Sequence, residues 1–212
     1  MGATTAELTT GYIKEHPDIK SCLKKGLINY SSLSRLIAKD LGIGKGTSKE
    51  AILIAARRFR EKLEREASYE KKIALILKNS EIEIKNKMAV FILEKNINLE
   101  FIDEIQRIIR KESGTSYVLE GSDNYTLITQ EKYAGLIEKK FSSRVIKSSS
   151  DLVILNFKSP KEIENTIGVM SYLTSIFTEN NINIKELISC WTDTLFVIGS
   201  NDLNRVINLL RF

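Results

Sequence analysis

The stretch that decides the fold is the C-terminal one. Leu152-Val-Ile-Leu-Asn-Phe-Lys158 is a dense apolar run and reads as a strand. Asn165-Thr-Ile-Gly-Val-Met-Ser-Tyr-Leu-Thr-Ser-Ile-Phe-Thr-Glu179 reads as a helix. Asn181-Ile-Asn-Ile184 follows, then two more strands and a last helix ending Leu-Leu-Arg-Phe212. The plan of residues 151–210 is therefore βαββα.

The residues just upstream repeat it. Ile82 and Ile84 alternate with Glu83 and Lys85, and residues 88–93 form a dense apolar strand. Leu99, Ile102, Ile105, Ile108 and Ile109 share one helical face. Strands at 116–119 and 125–128 flank the turn Gly121-Ser-Asp-Asn124. A helix near 131–140 and a strand near 144–148 complete βαββαβ. Two successive units of one plan and similar length predict a tandem domain.

The C-terminal string resembles the second ACT domain of aspartokinases, a small-molecule-sensing βαββαβ module. Thr166-Ile-Gly-Val169 matches the family's glycine-bearing loop between first strand and first helix, with Ile167 where proline is common. Asn183 matches the Asn of the family's Ile-Asn-Ile strand. The resemblance implies an amino-acid effector held by Asn165, Ile167, Gly168, Val169 and Asn183, its carboxylate at the helix start, where backbone N–H groups favour negative charge. It also implies that the two units dimerise and are interleaved, with Ile82-Glu-Ile84 supplying the closing strand that the second unit lacks. No kinase domain precedes them, so a sensor without its enzyme is expected. A second reading stays open at both key residues. Gly168 can instead relieve crowding where helix meets sheet, and Asn183 can cap a strand edge. The first unit has no comparable glycine loop after Leu93 and is expected to be a scaffold or interface. The βαββαβ plan is shared with RNA-binding RRMs. Phe91 and Tyr117 lack the aromatic-glycine-aromatic signature of that family, so RNA binding by the sheet is not expected.

Residues 6–66 read as helical. Pro17 suits a first turn, and Ile19, Cys22 and Leu23 form a stripe that Gly26 ends. Ser31 or Ser32 is a candidate cap for a helix whose face is Leu33, Leu36, Ile37 and Leu41. Thr47-Ser-Lys-Glu50 is a capping box before a long helix with the stripe Ile52, Ala55, Ala56, Phe59 and Leu63. A further helix at 69–79 leads out. The Gly and small-residue spacing around Cys22 and Gly26 resembles a helix-turn-helix. That reading puts Asn29, Ser31, Ser32, Ser34 and Arg35 on DNA. A second helix pair would present Lys45, Thr47, Ser48 and Lys49. Arg57 and Arg58 lie opposite the long helix's stripe and suit phosphates. Arg57 with Glu61 and Arg60 with Glu64 are also i, i+4 pairs, which describes a solvated face equally well.

Charge agrees with either view. Residues 1–72 hold 15 Lys/Arg against 9 Asp/Glu, so the whole +5 excess of the chain is N-terminal. Chemistry is sparse. His16 is the single histidine and has no nucleophile at a telling spacing. Cys22 and Cys190 form no metal or CxxC pattern and read as small core residues of a reduced, cytoplasmic protein. Gly42-Ile-Gly-Lys-Gly-Thr47 has its lysine before the last glycine and follows a helix, so it is no P-loop. No apolar run approaches the roughly 18 residues of a membrane span. The N-terminus carries neither a signal peptide nor a myristoylation pattern.

The expectation is an α+β protein: a helical, helix-turn-helix-like unit at 1–79 and ferredoxin-like ACT units at 80–149 and 150–212. It has no catalytic residues, no metal and no cofactor. Its expected function is amino-acid-responsive transcription regulation, with DNA, an amino-acid effector and a second copy of itself as partners. The alternative is a regulatory subunit or dimerising scaffold that docks on an enzyme of amino-acid metabolism.

Overall fold

The computed structural model describes residues 3–43, 48–65 and 69–210. They divide into two compact units, Met1–Ser68 and Tyr69–Phe212.

The described residues of the first unit form the helices α1 (Thr5–Glu15), α2 (Pro17–Lys24), α3 (Tyr30–Asp40) and α4 (Lys49–Arg65). Each boundary has a local cause. Thr4 and Glu7 form a reciprocal capping box on α1. Pro17 opens α2, and Gly26 closes it at φ +72°, where Leu27 N–H reaches back to the Cys22 carbonyl at 2.9 Å. The cap of α3 is Asn29, not Ser31 or Ser32: its side-chain oxygen accepts from Ser32 N–H at 3.0 Å. On α4, Ile52, Ala55, Ala56, Phe59 and Leu63 are all buried, as their spacing predicts. Most of this stripe packs with Tyr12, Ile13, Leu23, Leu33 and Ile37 into one core. Helices α1, α2 and α3 each pack on α4, while α2 and α3 make little contact with each other.

Two burial expectations are corrected here. Cys22 is exposed, and so is Cys190 in the second unit, so neither is a core residue. Leu36 and Leu41 are exposed, because α3 turns Leu33, Ser34, Ile37 and Ala38 inward. Lys45 and Thr47 lie outside the described residues.

The buried Tyr12 donates its hydroxyl to Asp40 Oδ2 at 2.6 Å. That hydrogen bond, helped by burial and by the Asp40 charge, pushes the phenol up to about 12. The folded state thus holds this proton more tightly than the unfolded chain, where tyrosine titrates near ~10. The stabilisation is whole below about pH 10 and is lost as pH rises through about 12. Tyr12→Phe should cost about 1–2 kcal/mol at neutral pH and remove this part of the alkaline loss, as urea melts at neutral and alkaline pH will show.

The second unit runs α5 (Tyr69–Lys78), β1 (Glu81–Glu94), α6 (Leu99–Lys111), β2 (Ser116–Glu120), β3 (Asn124–Gln130), α7 (Ala134–Phe141), β4 (Val145–Lys158), α8 (Val169–Glu179), β5 (Ile184–Cys190), β6 (Asp193–Gly199) and α9 (Leu203–Leu209). These strands form one antiparallel sheet in the order β2-β3-β1-β4-β6-β5. The two central strands are 14 residues each. Each unites two runs that read as separate strands in the sequence. What interrupts them is one left-handed residue apiece, Lys87 at φ 51° and Asp151 at φ 57°, with a register slip between Lys85 and Met88. The halves have different partners. Residues 88–94 of β1 pair with β3, whereas Ile82, Glu83 and Ile84 pair with Phe157, Asn156 and Leu155 of β4. Residues 152–158 of β4 pair with β6 on their other side.

Strand alternation sorts the apolar side chains. Ala89, Phe91, Leu93 and Leu127 meet α6 and α7. Val153, Leu155, Phe157, Phe196 and Ile198 meet α5, α8 and α9. Residues 69–79, grouped with the helical head in the sequence, therefore belong to this unit: Ile73, Ile76 and Leu77 are part of its core. The alternate residues Met88, Val90, Ile128, Leu152, Ile154, Leu195 and Val197 cluster among themselves, with Tyr117 and Ile188 packed against them and no described helix contributing. Phe157→Ala removes a fully buried ring that meets Phe196 edge-on at 5.7 Å, and should cost about 3–5 kcal/mol. Leu187→Ala, on an exposed side chain, should stay within about 0.5–1 kcal/mol in the same thermal melts.

Candidate functional site

A cleft of about 680 Å³ lies at the start of α8. Its lining comes from the segment after β4, from the first turn of α8 and from the β5–β6 hairpin. The segment is a 3₁₀ turn, Lys161–Asn165, pinned to the core by Ile163 and stabilised where Thr166 donates to the Glu162 carbonyl at 2.8 Å. It is tied to the hairpin because Ser159 N–H donates to the Thr192 carbonyl at 2.8 Å. Between them, α8 begins at Val169, four residues later than its sequence pattern predicts. The delay has a cause. Gly168 sits at φ 92° and ψ −2°, a left-handed conformation that a helix cannot contain. Among the described residues, no side chain caps the amide groups that follow it. A Cβ at Gly168 would stand 3.4 Å from Ile73 Cδ1, an ordinary contact, so the backbone angle is what demands glycine.

The polar content of the cleft is simple. Among the described residues, Glu164 is the only charged one in the lining, and Thr166, Ser171 and Ser189 add hydroxyls. Ile163, Val169, Met170 and Trp191 form its apolar surface. An uncapped helix start attracts an anionic group and Glu164 attracts a cationic one, so the lining offers both preferences.

Of the five residues expected to hold an effector, the structure brings Gly168 and Val169 to this cleft. Asn165 lines a neighbouring cleft of about 600 Å³, with Lys72, Leu75, Asn79 and Glu162, on the other side of the shared Thr166. Ile167 is exposed and lines neither cleft. Asn183 is exposed just before β5 and also lines neither. Sequence reasoning missed Ile163, Glu164, Thr166, Met170, Ser171, Ser189 and Trp191. Trp191 left a usable signal: it is the chain's single tryptophan and stands in the short polar turn between two strands.

The described candidate DNA residues of the first unit do not all gather around one helix start. Asn29, Ser31, Ser32 and Arg35 are exposed around the start of α3, with Arg35 donating to Ser32 Oγ at 3.1 Å. Ser34 is buried and donates to the Ser31 carbonyl, which takes it off that surface because α3 turns it inward with Leu33. Arg57 lies over the Tyr30 ring at 5.3 Å and so joins the α3 start. Arg58 instead lines a groove between α1 and α4 with Thr5, Ala6 and Lys62. Lys49 is eight residues before Arg57 on α4, about 12 Å along the axis. Arg60 pairs with Glu64 at 2.8 Å and packs against Gly26, so it is engaged within the fold. Among the described residues, no group of three or more His, Cys, Asp or Glu could hold a metal ion, and no helix is long and apolar enough to cross a membrane.

Comparison with known proteins places the fold. No protein-family model matches the chain, and no curated protein matches it. Solved structures do. Aspartate kinase from Clostridium acetobutylicum is 15% identical with a TM-score of 0.51, over 61% of this chain and 33% of that one. The likeness is one of fold. The regulatory subunit of aspartate kinase from Thermus thermophilus is 7% identical over 61% of this chain and 92% of that one, at a TM-score of 0.48. A putative C-terminal regulatory domain of aspartate kinase from Porphyromonas gingivalis W83 is 12% identical over 62% and 94%, at 0.46. This chain spans about a third of the length of the Clostridium kinase.

The conformational demand at Gly168 is directly testable. Gly168→Ala should lower stability by about 1–2 kcal/mol, because an alanine at that angle is strained. Ile167→Ala, one residue away on an exposed side chain, should leave the melting temperature nearly unchanged.

Proposed function

We propose that residues 69–212 are an amino-acid sensor of ACT type, formed by two interleaved βαββαβ units that dimerise and bind their effector in the cleft before α8. One observation carries this reading: a glycine-kinked, uncapped helix start faces a cleft whose single charge among the described residues is the carboxylate of Glu164. The effector's carboxylate meets the amide groups of α8, and its ammonium meets Glu164. The likeness in fold to aspartate kinase supports the assignment without supplying the effector's identity. The role is regulatory rather than catalytic.

The first unit transmits the signal. Two outputs compete, and the exposed apolar side chains favour docking on a partner enzyme. Leu27 is 75% exposed, and Leu36, Leu41 and Ile54 also face solvent, which suits protein contact better than a phosphate backbone. The N-terminal basic excess supports the transcription-regulator reading, in which Asn29, Ser31, Ser32, Arg35 and Arg57 meet DNA. Affinity for duplex DNA that falls steeply with salt would select that output, while co-purification of an enzyme in the absence of DNA would select docking.

The sensor reading is checked by thermal melting against the twenty common amino acids. An amino acid at about 100 times its Kd should stabilise by roughly 2.7 kcal/mol, or about 5–10 °C for a unit of this size. Absence of any shift across the panel contradicts it.

A further inference from the structure

We propose that Trp191 is the specificity-determining residue of this cleft and that it selects an α-amino acid with a large apolar side chain. The inference rests on the sensor reading above and adds the class of effector.

Trp191 stands at the tip of the β5–β6 hairpin, 69% exposed, with its backbone at φ 51°. Both features are unfavourable for a tryptophan. A large aromatic surface is left in water, and a bulky residue holds an angle suited to glycine or asparagine. Neither arrangement serves the core, whose members are named above and exclude it. An outlier of this kind at the rim of a cleft points to a role in that cleft. The hydrogen bond from Ser159 to the Thr192 carbonyl holds the hairpin tip beside the opposite wall, so the backbone that carries the indole is positioned at the cleft.

The chemistry of the lining then narrows the ligand. Glu164 is one carboxylate and answers one ammonium group, which an α-amino acid supplies from its backbone. Among the described residues, no Lys, Arg or His lines the cleft to answer an acidic side chain, and no second carboxylate answers a basic one. What remains for the side chain is the apolar surface of Ile163, Met170 and Trp191. A ligand packed there covers the exposed indole face, and a small side chain leaves it wet.

The test is isothermal titration of the full chain with alanine, leucine, phenylalanine, methionine, lysine and aspartate, repeated on Trp191→Ala and Trp191→Phe. Because the side chain is exposed, both variants should fold, and their melting temperatures verify it. The expected result is that one of leucine, phenylalanine or methionine binds at least about tenfold more tightly than alanine, lysine or aspartate. Trp191→Ala should lose that discrimination, and Trp191→Phe should keep most of it. Binding that Trp191→Ala leaves unchanged, or a preference for the small or charged amino acids, overturns the role of Trp191 while the sensor reading survives. Binding of none of the six, combined with a flat melting panel, removes both.

Discussion

The second unit depends on one hydrogen-bonded pair, β1 against β4. Each strand is 14 residues long, and each serves two neighbourhoods of the sheet. The left-handed residues Lys87 and Asp151 make this possible, because a bulge turns the strand and re-aims its side chains without ending it. Before the slip, Ile82 and Ile84 pair with Phe157 and Leu155. Beyond it, Phe91 and Leu93 face α6. The same pair lets the apolar residues on the other side, from Met88 to Val197, gather into a cluster with no described helix over it. Without that pairing, β3 and β6 would belong to separate sheets.

The cleft inherits its geometry from this pair. β4 ends at Lys158, whose ammonium meets Glu83 of β1 at 3.1 Å and helps hold that carboxyl below its usual range, together with Lys85. The chain then leaves the sheet at Ser159, bonds to the hairpin at Thr192, and turns back through Gly168 into α8. Phe177 stacks on Phe196 at 4.7 Å, which seats the far end of α8 on β6. Both walls of the cleft are therefore anchored to one sheet, and the left-handed angle at Gly168 turns the chain into α8 at its edge.

Much of this is legible in the sequence where one periodicity dominates. The stripe Ile52, Ala55, Ala56, Phe59 and Leu63 is buried as spaced, and the runs at 88–93 and 152–158 are strand. Gly168 stands out in the sequence because a glycine is a poor helix former, so one at the head of an apolar helix marks a special backbone angle or a close approach. The rest depends on partners that no local window contains. Lys87 and Asp151 look like polar breaks, so two long strands read as four. A helix such as α3 offers overlapping faces, and only packing on α4 selects Leu33, Ser34, Ile37 and Ala38 over Leu36 and Leu41. Trp191 reaches the start of α8 through the hairpin's placement, whereas Asn183, just ahead of β5, does not line the cleft.

The central claim is that an amino acid occupies the cleft at the start of α8. Because Trp191 is the chain's single tryptophan and lines that cleft, its fluorescence reads the site without a label. Titration of the intact chain with each amino acid, followed by tryptophan emission, is the most direct measurement. The account predicts a saturable blue shift with one amino acid as the indole leaves water. Emission that stays unmoved by every amino acid at millimolar concentration would contradict it.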